Sequence, residues 1–182
     1  GQTCISAKRL LVHQAVLAPF TEKLIAAIAK RRMGNPEDES INLGPMARED
    51  LRANLQRQVD ASVAAGARLL LGGQTPEGPG YFYPPSVLVD VRPGMPAFDE
   101  EVFGPVVSLV TVENDSETVA LANQSAYGLG AAVFTQDIER GKRLAHQLEC
   151  GACFINDFVK SDPRLPFGGI KRSGYGRELG AM

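Results

Sequence analysis

The chain has 182 residues, a length that suits one domain or a lobe of something larger. Lys and Arg number 19 and Asp and Glu 21, a net charge of −2, which offers no basic excess for a polyphosphate backbone and disfavours nucleic acid as the main partner. With 44% hydrophobic and 22% charged residues the composition is that of a folded globular protein and excludes a disordered one.

No apolar run approaches the roughly 18–20 residues that cross a bilayer, so no membrane partner is expected. Gly1-Gln2-Thr3-Cys4 is not a basic-then-apolar signal sequence. Three cysteines cannot close into an even disulfide framework, which points to a reducing, cytoplasmic compartment.

Along the chain, residues 10–12 form a short apolar run that reads as a strand. Phe20, Leu24, Ile28 and Met33 recur at near-helical spacing and predict a helix over about 17–32, stopped by Gly34-Asn35-Pro36. Residues 34–46 read as a loop. Leu51, Leu55, Val59 and Val63 repeat every four residues on one helix face, and Gly66 is a fitting stop for that helix. Residues 68–71 read as a strand, and the Gly- and Pro-rich residues 72–80 as an exposed loop. Strands are predicted at 87–89, 106–112, 131–134 and 152–155. Asp115 is the predicted cap of one helix, and Asp137 of another running to about Leu148. The last 27 residues read mostly as loop, and no domain boundary stands out. Alternating strands and helices predict an α/β layer fold, three layers with a mostly parallel sheet.

Five places could carry chemistry. Cys4 precedes a polar segment; a helix starting there would favour the thiolate, the nucleophilic form of cysteine. Cys150 and Cys153 form a C-x-x-C at the start of an apolar strand, where free cysteine often behaves as a small core residue. A structural zinc site takes about four ligands, and His13 and His146 have no ligand spacing to this pair, so no metal is expected. Glu100 and Glu101 precede Val102-Phe103-Gly104-Pro105. Adjacent acids of this kind are usually just solvated. The glycines at 168, 169, 174, 176 and 180 do not form G-x-G-x-x-G, so the chain has no dinucleotide fingerprint of its own. Lys160, Arg164, Lys171 and Arg172 make a basic cluster, either a solvated loop or an anion site.

Three of these segments fall into one pattern. Gly1-Gln2-Thr3-Cys4 resembles the nucleophile segment of the aldehyde dehydrogenase superfamily. Glu101-Val102-Phe103-Gly104-Pro105 resembles its E-x-F-G-P cofactor motif. Asn156, followed by Pro166-Phe167-Gly168-Gly169-Ile170-Lys171-x-Ser173-Gly174-x-Gly176-Arg177-Glu178, resembles its C-terminal signature. Leu43-Gly44-Pro45-Met46 and Ala126-Tyr127-Gly128-Leu129 fit as well, so the resemblance spans almost the whole chain.

The resemblance implies NAD(P)-dependent oxidation of an aldehyde through a Cys4 thioester, with the Cys4 backbone N–H as one oxyanion donor. It implies that Glu101 holds the nicotinamide ribose, that Phe103 packs beside the cofactor and that Phe167 walls the substrate pocket. Asn156 takes a structural role near the site. Lys160, Ser161 and Arg164 lie where the family shapes the distal end of the aldehyde and could bind a carboxylate there. The sequence is most similar to succinate-semialdehyde dehydrogenases; a general aliphatic or aromatic aldehyde dehydrogenase is the alternative. In the family, the cofactor-binding domain, the general-base glutamate and a second oxyanion donor, an asparagine, precede the nucleophile. A C-terminal assembly strand follows the segment matched here. The expectations are therefore a catalytic-domain fragment, inactive alone, of a homodimeric or homotetrameric parent. A non-catalytic folding or assembly module is the competing reading.

Overall fold

The computed structural model describes residues 1–180; Ala181 and Met182, the end of the predicted terminal loop, lie outside the described residues. The chain divides into two compact units. One comprises residues 1–3 and 7–112; the other comprises residues 4–6 and those from 113 onward. The elements of the first are β1 (Arg9–His13), α1 (Gln14–Ala29), α2 (Glu49–Ala64), β2 (Arg68–Leu71), β3 (Ser86–Val89), α3 (Pro96–Asp99) and β4 (Val106–Val112). Those of the second are α4 (Asp115–Asn123), β5 (Tyr127–Gly128), β6 (Gly130–Val133), α5 (Ile138–Ala145), β7 (Ala152–Ile155) and β8 (Ile170–Lys171). The fold is α/β.

The first unit is built on a four-stranded sheet of order β1-β4-β3-β2. β4 pairs in parallel with both β1 and β3, and β2 closes the edge antiparallel to β3. Every residue of β3 is buried, as expected of a strand covered on both faces. Val87, Val89 and Leu109 form a core cluster against which Leu17, Leu24 and Ile28 of α1 pack. α1 starts three residues earlier than its apolar spacing predicts, because the His13 imidazole accepts from the Ala15 N–H and caps it. It also ends three residues earlier, at Ala29. Phe20, predicted on the packing face, is exposed; Leu17 takes its place.

α2 turns Leu55, Gln58, Val59 and Ser62 inward. Gly66, at φ +108°, follows the helix in a conformation that side chains resist.

In the second unit β6 and β7 pair in parallel, with α5 packed on both, and β5 and β8 form a short antiparallel pair. The cap of α4 corrects the sequence reading. Asn114, not Asp115, is the extended residue whose side chain accepts from the Glu117 N–H. Asp115 occupies the first helical position and its carboxylate pairs with Arg140 of α5. Asp137 caps α5 by accepting from the Arg140 N–H, but the helix ends at Ala145, short of Leu148.

Candidate active site

Cys4 is an exposed free thiol. Residues 3–6 form a turn and bend, and the next regular element is β1, so no helix starts behind this cysteine. The helix-terminus argument for its thiolate is therefore corrected.

The three residues before Cys4 are firmly held. Gly1 packs on the backbone of Gly104, where a Cβ would overlap the Gly104 carbonyl oxygen. Gln2 accepts from the Ala47 N–H at 3.1 Å and donates to the Pro45 carbonyl at 3.5 Å. Lys8 Nζ donates to the carbonyls of Gly1 at 2.7 Å and Thr3 at 3.3 Å, and lies 4.9 Å from the centroid of the Phe103 ring. Three sequence motifs thus meet within the first unit: the segment leading into the thiol, the loop around Pro45 and the stretch from Glu101 to Pro105. Lys8 and Gln2 are the residues that join them, and motif matching alone does not single out Lys8.

The two adjacent acids have different surroundings. Glu100 accepts from Arg57 at 2.6 Å and from Gln58 at 2.8 Å, both on α2, and these donors lower its carboxyl pKa. Gln58 also donates to the Glu101 carbonyl at 3.1 Å. The Glu101 carboxylate is exposed and makes no hydrogen bond or ion pair among the described residues. A held backbone that displays an unengaged carboxylate beside the half-buried Phe103 suits a ligand with paired hydroxyls and a flat ring. Gln58 is 2% exposed in the fold, and its one sequence signal is its helical phase with Leu55 on α2.

In the second unit, Asn156 sits at φ +54°, a conformation Asn tolerates better than most residues. Its side chain accepts from the Thr135 N–H at 2.9 Å and donates to the Thr135 carbonyl at 2.8 Å, extending the β6–β7 ladder by one rung. Phe167 is half-buried and exchanges backbone hydrogen bonds with Glu178 at 2.7 and 2.8 Å. Arg177 donates to the carbonyls of Gly169 and Gly176.

The predicted anion-binding residues are exposed. The Arg164 guanidinium is 85% exposed and grips Asp162 with two nitrogens, at 2.9 and 2.6 Å. That grip holds the Asp162 carboxyl down at about 2. Lys160 pairs with Asp157 at 2.5 Å, and Ser161, the next residue, is exposed. Lys171, from the same basic cluster, pairs with Glu149 and donates to the Asn123 and Ser125 carbonyls. Cys150 and Cys153 are half-buried, not core residues. Among the described residues no helix is long and apolar enough to cross a membrane.

The sequence profile of the aldehyde dehydrogenase family matches residues 1–182. The succinate semialdehyde dehydrogenase [NAD(P)+] Sad of Escherichia coli is 49% identical over 179 residues, covering 98% of this chain and 39% of the relative. A probable succinate-semialdehyde dehydrogenase [NADP(+)] of Synechocystis is 46% identical, over 100% of this chain and 40% of its own. Among solved structures, the succinic semialdehyde dehydrogenase of Streptococcus pyogenes in complex with NADP+ aligns at a TM-score of 0.94 and 37% identity, covering 99% of this chain and 40% of that one. The betaine aldehyde dehydrogenase of Staphylococcus aureus in complex with NAD+ aligns at 0.93 and 37% identity, covering 98% of this chain and 36% of that one. The chain thus spans about two fifths of the length of the curated relatives it matches.

Proposed function

The chain belongs to the aldehyde dehydrogenase family, and on that premise we propose that it carries the thiol nucleophile of an NAD(P)-dependent oxidation of succinate semialdehyde to succinate. The observation that carries this reading is the exposed Cys4 thiol at the end of a segment pinned by Gln2, Lys8 and the Gly1–Gly104 backbone packing. A reactive atom needs a backbone that does not drift.

In this reading the Cys4 thiolate attacks the aldehyde carbon, and the Cys4 N–H donates to the oxyanion. When bound, NAD(P)+ accepts the hydride. The resulting thioester on Cys4 is released by water. Glu101 holds the ribose hydroxyls and Phe103 lies beside the nicotinamide. Phe167 walls the aldehyde pocket, while Asn156 fixes the end of the β6–β7 ladder. Lys160, Ser161 and Arg164 take the distal carboxylate, Arg164 exchanging Asp162 for it. The names of the two curated relatives at 49% and 46% identity support this substrate. In keeping with the family pattern, we propose that the working enzyme is a homodimer or homotetramer.

One observation favours a second reading. Arg164 and Lys160 already have carboxylate partners, which suits a general aliphatic or aromatic aldehyde with no charge to place. NADH and NADPH formation by a full-length protein containing this chain separates the two. Succinate semialdehyde is expected to be preferred over a neutral aldehyde of similar length. Equal rates would favour the second reading. Cys4→Ser is expected to lower kcat by several powers of ten, as losses of catalytic nucleophiles do. Retained turnover would leave a non-catalytic module as the better account.

A further inference from the structure

The Cys4 N–H, the oxyanion donor of the reading above, belongs to the peptide unit whose carbonyl is that of Thr3. Peptide units are planar and, among the described residues, all trans, so the C=O and N–H of one unit point in opposite directions. Whatever fixes the Thr3 carbonyl therefore fixes the direction of the Cys4 N–H.

Lys8 fixes that carbonyl. Its ammonium donates to it at 3.3 Å and to the Gly1 carbonyl at 2.7 Å, and lies 4.9 Å from the centroid of the Phe103 ring. The side chain starts from a firm base. One residue before β1, the Lys8 carbonyl accepts from the N–H of the fully buried Ser108 in β4 at 3.2 Å. Residues 3–6 turn and bend, and the Lys8 side chain reaches back to the carbonyl that precedes Cys4. Gly1, the other acceptor, is itself held by its packing on the Gly104 backbone.

The contact also acts on donor strength. A charged donor on a carbonyl polarises the amide, and hydrogen bonds in a chain strengthen one another, so the N–H at the far end of the unit donates better. Among the described residues the Cys4 N–H makes no hydrogen bond, which leaves it to a substrate oxygen. Such a donor counts for most when negative charge develops on that oxygen.

We propose that Lys8 is a positioning residue for the aldehyde oxidation: its ammonium, bonded to the Thr3 carbonyl, aims and strengthens the Cys4 N–H that stabilises the tetrahedral oxyanion. The proposal rests on the reading of Cys4 as the nucleophile. No bond to Lys8 forms or breaks, and its proton stays in place. Thiolate attack on the aldehyde and water attack on the thioester both place an oxyanion on the same carbon, so both steps feel Lys8. The distal end of the aldehyde does not enter.

The test uses a full-length protein containing this chain, at saturating cofactor. Lys8→Met keeps the stem and removes the charged donors. It is expected to lower kcat and kcat/KM alike by about tenfold, part of the about 10²–10³ lost when an oxyanion donor is removed outright. Equal falls mark an interaction made only in the transition state. The loss should be the same for succinate semialdehyde and for a neutral aldehyde. Alkylation of Cys4 by iodoacetamide, which forms no oxyanion, should keep its rate. Lys8→Arg retains charged N–H donors and should lose less than Lys8→Met. The proposal is overturned by a Lys8→Met kcat within about twofold of the parent, or by an equal loss in Lys8→Arg. A loss of alkylation rate matching that of kcat would overturn it too, by placing Lys8 on the sulfur. So would a fall in melting temperature that tracks kcat, by making Lys8 a structural residue. A parent that forms neither NADH nor NADPH would instead remove the dehydrogenase reading, and the Lys8 role with it.

Discussion

Glu100 and Glu101 are chemically the same residue in adjacent positions, and the fold gives them opposite surroundings. Glu100 is held by Arg57 and Gln58; Glu101 faces solvent unengaged. Glu101→Gln in the full-length enzyme should therefore raise the cofactor KM several-fold and leave the melting temperature unchanged. Glu100→Gln should show the reverse emphasis. Its pair with Arg57 is half exposed, so the loss should be about 0–1 kcal/mol by chemical denaturation. The Glu100 pKa is lowered in the fold, so its contribution is present above the unfolded value and fades as pH falls through the folded one. Nothing in the local sequence separates the two acids, because the partners that do so sit on α2, far back in the chain. Cys4 and Phe103 are candidates that motif alone singles out. Lys8 was not, since its role depends on two carbonyls and a ring that only the folded chain brings to it.

Among the elements, apolar spacing located α2, β3 and β4, where burial is strongest or the pattern longest. It could not find β5 or β8, because two residues contain no period. The α4 cap was misplaced by one residue because Asn114 and Asp115 are both good caps, and the ion pair of Asp115 with Arg140 decides between them. Asn114→Ala should cost about 1 kcal/mol of helix stability, measured by urea denaturation followed by circular dichroism. Leu55→Ala on α2 should cost about 2–5 kcal/mol, since the side chain is 1% exposed. Tyr83 gives the opposite expectation. Its hydroxyl is buried with no hydrogen-bond partner among the described residues, and burial pushes its pKa up. Tyr83→Phe removes an unpaid desolvation and should leave stability unchanged or raise it by about 1 kcal/mol.

At the scale of the molecule, every buried hydrophobic residue among those described lies between Val12 and Val112, within the first unit. The second unit is built on two short strand pairs. Strands in two-stranded pairs are marginal without further packing, and local opening follows the density of buried apolar contacts. Amide hydrogen exchange should therefore be slowest in β3 and β4 and at least tenfold faster in β6 and β7. Comparable protection in the two would refute this. The sequence reading saw no internal boundary, because the composition does not shift at residue 113; what changes there is the burial of the apolar residues, which only the fold reports.

Asn156 closes the β6–β7 ladder with a side chain, both ends of its amide engaged by the backbone of one residue, the N–H and the carbonyl of Thr135. That makes the rung vulnerable to time. Deamidation would keep the acceptor but replace the donor with a second oxygen, aimed at the Thr135 carbonyl. Chemical ageing at this single amide would thus turn a hydrogen bond into a repulsion, and the age of a sample would be written into how tightly that end of the ladder stays shut.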